Sequence, residues 1–383
     1  MEKYYLSFYD VYDSGEDIWF SNNLYNGLFR YNIADKKTYF VSFFENEEKN
    51  QRGLHQKVVH YKGKLFFLPG LAKHIHVVDL RNCSMKSINV AEQIGSYADA
   101  SLSCVYMKDN WLYVFPKDIS KQLYRMDLET LEITTEKGFK SEISNCLNQT
   151  EGKFCYKPYQ EDEMIWFPVL KTNKVLKYSI VGKKFELYEL EISNAIAMEK
   201  YNNSFWLLVE NGRSVYQWDG ENKEVKEYLL PDFPMEDVTQ QIQHYKDMLF
   251  VFLKNSSIIY ILQENQFVVW NAVGNCCRVE HNCASWATFA GISEGVGRVF
   301  MNQFATDKCI WIKEDGEIEF HEIFLNMDQN QLMLWYDGTQ KIYEKTSVPL
   351  ELFMEWVDTK PLSETAVDKY VPCGEKIFES CIE

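Results

Sequence analysis

A short, strongly apolar segment occurs seven times along this chain, at intervals of 40 to 53 residues. Each copy is bounded by polar turn residues and has the length of a β-strand. The copies centre on Trp19, Phe66, Tyr113, Trp166, Trp206, Phe250 and Val299. A repeat of this period, with room for several strands per copy, is typical of sheets arranged radially around an axis. This spacing constrains the fold more than any other feature of the sequence.

The internal pattern of the repeat is clearest at residues 58–90, 104–135 and 155–190. In each, a first strand ends at a polar turn, the aromatic second strand follows, and a third strand alternates polar and apolar residues. Proline cannot donate a hydrogen bond within a sheet, so Pro69, Pro116 and Pro168 are predicted to mark the ends of second strands. Hairpin turns are predicted after the third strands of later repeats, at Asp219-Gly220, Glu264-Asn265 and Asp315-Gly316.

Four antiparallel strands per repeat, with no helices between them, predict an all-β fold, a β-propeller of four-stranded blades. Closing such blades into a ring buries both faces of every sheet and leaves only short edges. Seven blades are predicted. Six is the alternative, because the first and last copies are the least regular.

The propeller is predicted to occupy residues 1–325, followed by a C-terminal extension over 326–383 with short helices that pack on the propeller. Residues 349–357 place Leu350, Phe353, Met354 and Val357 at helical spacing on one face. Residues 374–381 predict a second, shorter helix. This extension either supports the ring or docks a partner.

One repeated segment resembles a known family. Leu123-Tyr124-Arg125-Met126-Asp127-Leu128-Glu129-Thr130, together with His76-Val77-Val78-Asp79-Leu80, resembles the third-strand segment of kelch-type propeller repeats. The resemblance extends over residues 5–320. The paired glycines of kelch repeats are missing from the strands here, and Trp218-Asp219 is a single WD dipeptide. The resemblance therefore implies the propeller fold and transfers no functional residue.

The formal net charge of −16 repels nucleic acid and anionic lipid, so neither is expected as a partner. The N-terminal residues lack the pattern of a secretory signal, and no stretch reaches the roughly 20 apolar residues of a membrane helix. The ten cysteines are scattered, which is typical of reduced thiols. On these grounds we expect a cytoplasmic protein.

Recognisable catalytic motifs are missing from the sequence, so no catalytic residue, cofactor or metal site is predicted. The densest group of metal-capable residues is Cys276-Cys277-Arg278-Val279-Glu280-His281-Asn282-Cys283. It lacks two separated ligand pairs, the spacing that tetrahedral zinc sites commonly show. A loop leading into an inner strand at residues 285–289 is the preferred interpretation.

The unequal distribution of charged residues between the two sides of the predicted propeller is the most informative functional signal. The connections from second to third strand share one side with the connections between blades. The second-to-third connections carry mostly basic residues. The connections between blades add Arg52 and His55 but also several acidic residues, and the opposite turns are richer in acid. A basic rim on an acidic protein would concentrate an anionic ligand near the central mouth. The predicted ligand-binding residues are Arg52, His55, Lys73, His74, Lys121, Lys174, Arg213, Lys254 and Trp286.

Two functions are favoured from the sequence, ahead of a third, structural assembly through the C-terminal helices. The first is a non-catalytic binding or scaffold propeller that recognises an anionic glycan or an acidic protein segment on the basic side. The alternative is a carbohydrate-active enzyme, a hydrolase or lyase, with its site at the axial mouth. Propeller enzymes draw catalytic groups from several blades, so the missing local motif argues only weakly against this alternative.

Overall fold

The computed structural model describes residues 2–49, 51–90, 102–149, 151–235, 237–254, 256, 258–270, 289–296, 298–303, 308–313 and 317–327. These residues form seven four-stranded antiparallel sheets and one two-stranded pair. Within every four-stranded sheet the strands lie side by side in chain order. This is the arrangement of a β-propeller, and the predicted all-β propeller fold is confirmed.

The strands, in chain order, have the following bounds. β1 is Glu2–Tyr5, and the first three sheets contain β2 (Val11–Asp13), β3 (Asp17–Ser21), β4 (Leu28–Asn32) and β5 (Lys37–Ser42); β6 (His55–Tyr61), β7 (Lys64–Pro69), β8 (His74–Asp79) and β9 (Met85–Asn89); and β10 (Leu102–Lys108), β11 (Trp111–Pro116), β12 (Tyr124–Asp127) and β13 (Ile133–Thr135).

The remaining four sheets follow the same plan. They contain β14 (Tyr159–Glu161), β15 (Met164–Pro168), β16 (Lys174–Ser179) and β17 (Lys184–Glu189); β18 (Ala195–Tyr201), β19 (Ser204–Val209), β20 (Ser214–Trp218) and β21 (Lys226–Leu229); β22 (Thr239–Tyr245), β23 (Met248–Leu253), β24 (Ile259–Gln263) and β25 (Gln266–Val269); and β26 (Phe289–Gly295), β27 (Arg298–Gln303), β28 (Lys308–Lys313) and β29 (Ile318–Glu322), after which comes β30 (Phe324–Met327).

All seven repeated segments form the second strand of their sheet, as predicted. They are β3, β7, β11, β15, β19, β23 and β27. Consecutive residues such as Phe66 and Phe67 in β7 are both buried, although they point to opposite faces of the sheet. A continuous apolar run is therefore required, because neighbouring sheets cover both faces. The three prolines end β7, β11 and β15 as predicted.

Each junction between consecutive sheets has its own apolar core. The second and third sheets, for example, share a core that contains Phe66 and Leu112, and the fourth and fifth share one that contains Trp166 and Trp218. Separate cores explain how the chain packs so many aromatic residues without one large interior. Each repeat buries its faces only against its neighbours.

The hairpin turns use backbone conformations that the sequence indicates. Lys62 and Gly63 both have positive φ, at 45° and 77°, between β6 and β7. Glu264 and Asn265 do the same between β24 and β25, at 46° and 64°. Two successive positive φ angles match the right-handed twist of the flanking strands. The predicted turn at Asp315-Gly316 lies outside the described residues.

One helix was not predicted between strands. It is α1 (Phe139–Leu147), in the connection from β13 to β14. Phe139, Ile143 and Leu147 are buried at a spacing of four residues and pack into the core of the third and fourth sheets. Asn148 ends the helix in the left-handed conformation, with φ 55°. The prediction of no helix between blades was therefore wrong at this connection.

The first and last strands of the described chain pair with each other. Glu2 pairs with Met327 and Tyr5 with Phe324, in an antiparallel β1–β30 pair. Residues 328–383, which hold the predicted helical extension, lie outside the described residues, so the boundary at residue 325 stays a prediction. In the described part of the chain, the sole helix α1 is far too short and polar to cross a bilayer.

The first and seventh sheets meet through polar as well as aromatic groups. Asp13 at the end of β2 binds the guanidinium of Arg298 in two places, with Oδ2 to Nε at 2.7 Å and Oδ1 to Nη2 at 2.9 Å. Tyr31 in β4 lies 2.9 Å from Nδ1 of His321 in β29, and the His321 ring stacks on Trp311. These contacts join two sheets whose residues are far apart in sequence, with 290 positions between Tyr31 and His321.

The stability of this junction should depend on pH through His321. Burial is the main cause that lowers the pKa of His321; the hydrogen bond to Glu319 opposes it, and the charges of Lys36 and Arg298 lower it further. Below the unfolded-state pKa of about 6.5, the unfolded state therefore binds more protons than the folded state, so stability falls on acidification by at most about 1.4 kcal/mol per pH unit.

Urea unfolding at several pH values between about 7.5 and 5 measures this dependence. The wild type should lose stability more steeply below pH 6.5 than the His321→Gln variant. Equal slopes in the two proteins would exclude His321 as a contributor.

Candidate functional site

The predicted basic side of the propeller is formed by the connections between second and third strands and those between successive sheets. We call it the basic face. Lys73, Lys121, Arg213 and Lys254 lie in second-to-third connections, and His74 and Lys174 are the first residues of third strands. Arg52 and His55 lie at the connection from the first to the second sheet. Trp286 lies outside the described residues. The topology thus places the other eight predicted residues on one side, where they spread around several sheets.

Many cations of the basic face have no carboxylate partner, whereas several on the opposite side do. No carboxylate in the described part of the chain forms an ion pair with Arg52, Lys73, Lys117, Lys121, Lys171, Lys174 or Arg213. On the opposite side, Lys62, Arg81, Lys108, Lys183 and Lys200 each pair with a glutamate or an aspartate. The positive charge of these seven side chains is therefore not paired with a carboxylate of the described residues.

Two lysines of this face lie close together beside an exposed tyrosine. Residues 118 and 153 form an isolated β-bridge, which brings Lys117 near Lys153. Burial lowers the pKa of Lys117, and the charge of Lys153 lowers it further. The Lys117 ammonium lies 3.8 Å from the ring centre of Tyr156, whose side chain is 52% exposed. Like charges beside an exposed aromatic ring form a surface suited to an anionic group and an apolar neighbour.

Some predicted residues have structural partners instead. Lys174 Nζ donates to the carbonyl oxygen of Leu147 at 3.1 Å, where helix α1 ends. A cation at this position satisfies a carbonyl that has no partner within the helix. Arg213 donates to the carbonyl oxygen of Met235, and its guanidinium lies 6.0 Å from the ring centre of Phe233. We therefore give Lys174 and Arg213 less weight as ligand-binding residues.

Two predicted residues, His55 and His74, take part in a buried cluster between the first and second sheets. Ser21 Oγ lies 2.8 Å from His55 Nδ1, and His55 Nε2 lies 2.9 Å from His76 Nδ1. His76 Nε2 lies 2.9 Å from the carbonyl oxygen of Glu45. A carbonyl only accepts, so His76 donates to Glu45, His55 donates to His76 and Ser21 donates to His55.

Both inner histidines of this cluster are neutral at pH 7. Burial lowers the pKa of His55 well below its usual value, and the neighbouring His76 contributes to the shift. Burial lowers the pKa of His76 to about 4. Their ring nitrogens therefore act as neutral donors and acceptors and do not attract anions. The prediction that His55 binds an anionic ligand by charge has no support in this environment.

Glu47 completes the cluster and was missed by the sequence analysis. Its Oε1 accepts hydrogen bonds from the backbone N–H of Lys73 at 2.7 Å and of His74 at 3.0 Å, and lies 2.8 Å from His74 Nδ1. His76 was missed too. The one available signal was His74-x-His76, two histidines on the same side of a strand.

The first strands of successive sheets converge on a second polar group. Lys157 Nζ contacts a carboxylate oxygen of Glu199 in β18 at 2.5 Å and Oε1 of Gln243 in β22 at 2.8 Å. It also donates to the carbonyl oxygen of Ile242. Lys57 and Asp10 form a similar pair at 3.5 Å. These ion pairs join inner strands of different sheets.

Comparison with known proteins supports the fold. No protein-family model and no curated protein sequence matches the chain. A structure of YCF48 bound to D1 peptide is similar, with a TM-score of 0.56 at 9% identity over 84% of this chain and 92% of that chain. YCF48 from Cyanidioschyzon merolae has a TM-score of 0.54 at 8% identity over 79% of this chain and 95% of that chain.

An extracellular domain is similar as well. The extracellular domain of the one-component system BT4673 from B. thetaiotaomicron has a TM-score of 0.53 at 14% identity, over 84% of this chain. This chain spans only 38% of that structure. Similarity at such low identity shows the β-propeller fold and nothing finer. A specific relationship to kelch proteins is not shown.

Proposed function

We propose that this chain is a binding propeller that recognises an acidic protein segment on its basic face. The observation that carries the proposal is the set of basic-face cations that lack a carboxylate partner in the described part of the chain. In a protein of net charge −16, such a surface is the part that attracts an anionic partner.

The cluster of Lys117, Lys153 and Tyr156 is the proposed centre of recognition. The partly buried Lys117 is held near Lys153, so a bound carboxylate would relieve their mutual repulsion. The exposed Tyr156 ring adds apolar area beside the charges. A peptide with alternating acidic and apolar residues fits this chemistry. YCF48, a propeller of similar fold, has been solved with a bound peptide, which supports a protein-type partner.

A binding titration with labelled peptides tests the proposal. A peptide of alternating glutamate and leucine is compared with its glutamine counterpart at about 50 and about 300 mM NaCl. We expect the acidic peptide to bind more tightly and to lose affinity at the higher salt. The Lys117→Glu/Lys121→Glu/Lys153→Glu variant should weaken binding at least about tenfold, which corresponds to about 1.4 kcal/mol.

A matched control uses lysines on the opposite side of the propeller. Lys226 lies 4.4 Å from the ring centre of Tyr228, a pairing like that of Lys117 with Tyr156. Lys184 is exposed at the start of β17. The Lys184→Glu/Lys226→Glu variant should bind the acidic peptide like the wild type. Equal losses in both variants would contradict a face-specific site.

Acidic and neutral oligosaccharides are included in the same titration. Salt-sensitive binding of acidic oligosaccharides without peptide binding would favour the glycan partner over the protein segment. Release of shorter or unsaturated sugars would favour the carbohydrate-active enzyme. The proposed cytoplasmic location is tested separately, by fractionation of cells that express the chain.

A further inference from the structure

The buried Glu47 carboxylate has one oxygen with three donors and one with none. Oε1 accepts from the backbone N–H of Lys73 and His74 and contacts His74 Nδ1. Oε2 is buried and has no hydrogen-bond partner in the described part of the chain. The whole side chain is 0% exposed. A charged oxygen left in this state is costly, so it indicates a missing cation or water.

Two imidazoles lie beside this carboxylate. His74 and His76 occupy alternate positions of β8, so their rings extend to the same side of the sheet. One ligand atom from each of Glu47, His74 and His76 can be chosen so that all three lie within 4.8 Å of one another. Two donors that bind one ion at about 2.0–2.2 Å lie at most about 4.4 Å apart. Side-chain movements of a few tenths of an ångström therefore bring these three donors within reach of one metal ion.

The neighbouring His55 selects which nitrogen of His76 would bind. His76 Nδ1 faces His55 Nε2, and His76 Nε2 faces the carbonyl oxygen of Glu45, so a metal bound at Nε2 takes the place of the proton that is donated to Glu45. With a metal in place of the Nε2 proton, His76 donates from Nδ1 to His55, and His55 donates from Nδ1 to Ser21 Oγ. The two hydrogen bonds that join His76, His55 and Ser21 are kept with their direction reversed. The Glu45 carbonyl oxygen loses the His76 donor and keeps Ser87 Oγ, at 3.3 Å. Metal-bound histidines commonly have such a second hydrogen bond, which fixes the orientation of the ring.

We propose that Glu47, His74 and His76 bind a divalent transition-metal ion, with Zn²⁺ the best match. Two imidazoles and one carboxylate suit Zn²⁺ better than Mg²⁺ or Ca²⁺, which prefer oxygen ligands alone. Three protein ligands leave a coordination position for water or a further ligand. The site is independent of the basic-face proposal.

Isothermal titration of the full-length, tag-free protein with ZnCl₂, after treatment with EDTA and dialysis, tests the proposal. We expect one tight equivalent and a raised melting temperature with Zn²⁺ present. Glu47→Gln keeps an acceptor for the Lys73 and His74 backbone groups and removes the charge. It should weaken Zn²⁺ binding at least about tenfold. His74→Gln, at a more exposed position, should do the same and provides a second variant if Glu47→Gln folds poorly.

Two controls separate this site from other metal-capable residues. His60→Gln changes a histidine of the same sheet that stacks on Tyr12 outside the cluster, and it should leave Zn²⁺ binding unchanged. A Cys276→Ser/Cys277→Ser/Cys283→Ser variant should also bind normally. The proposal is overturned if the wild type binds no Zn²⁺. It is also overturned if both Glu47→Gln and His74→Gln still bind Zn²⁺ as the wild type does. Loss of Zn²⁺ binding in the cysteine variant alone is one such result.

Discussion

Replacing Arg298 with leucine is expected to lower the free energy of unfolding by about 3–5 kcal/mol. The Asp13 side chain is 0% exposed and that of Arg298 is 15% exposed, so the substitution leaves a buried carboxylate without its counter-charge. Asp13 also accepts from the backbone N–H groups of Val296 at 3.0 Å and Gly15 at 2.8 Å, but these carry no net charge. Leucine keeps apolar volume near Trp311, over which the guanidinium lies at 5.0 Å.

A second pair in the chain has the same geometry and a far more exposed arginine, and its Asp79 side chain is 15% exposed. Arg81 binds Asp79 in the same two-pronged way, at 3.0 and 2.7 Å, but the Arg81 side chain is 83% exposed. Arg81→Leu should change stability little, because water screens and solvates exposed charges. Urea unfolding of both variants provides the comparison. If both variants lose similarly little stability, the buried Asp13 carboxylate does not need Arg298. The junction of the first and seventh sheets would then not depend on this ion pair.

Replacing Trp218 with alanine should destabilise the protein by a similar amount, about 3–5 kcal/mol. Trp218 is 1% exposed and packs among Trp166, Tyr188 and Phe205 at the junction of the fourth and fifth sheets. Its indole Nε1 donates to the carbonyl oxygen of Asn222 at 2.6 Å. Alanine leaves a cavity in this aromatic core and removes the donor of that hydrogen bond.

Thermal or urea unfolding measures the effect. Trp218→Phe keeps most of the volume and should lose less stability than alanine. Tyr156→Ala, at a side chain that is 52% exposed, should stay within about 0.5 kcal/mol of the wild type. A Trp218→Ala protein as stable as Tyr156→Ala would show that this junction relaxes to fill the space.

The fold could be predicted from the sequence because its evidence is local and repeated. Each second strand has a continuous apolar run, as in Phe66 and Phe67, and each nearby hairpin has turn residues that accept positive φ. Helix α1 was missed because it is only nine residues long and has just three buried positions, Phe139, Ile143 and Leu147. So short a helix is stabilised by packing against its neighbours and has little intrinsic preference to form.

Of the two candidate sites, one has a signal in the sequence and the other has almost none. The basic face could be predicted, because strand order alone decides on which side each connection lies. The histidine cluster could not, since Glu47 meets His74 across 27 residues and a sheet junction. Likewise, nothing in the sequence shows that Lys174 donates to the carbonyl oxygen of Leu147. Contacts of this kind depend on the packing of whole sheets.

The pairing of β1 with β30 has a consequence for how the chain is made. Because Glu2 pairs with Met327, the N-terminal strand cannot find its partner until the ribosome has completed the seventh sheet. Earlier sheets are built from neighbouring segments and can form as they emerge. During synthesis, β1 therefore remains an unpaired edge, and the first sheet lacks its neighbour on one side. Throughout that interval the nascent chain depends on other protection against aggregation, and ring closure ends this exposure.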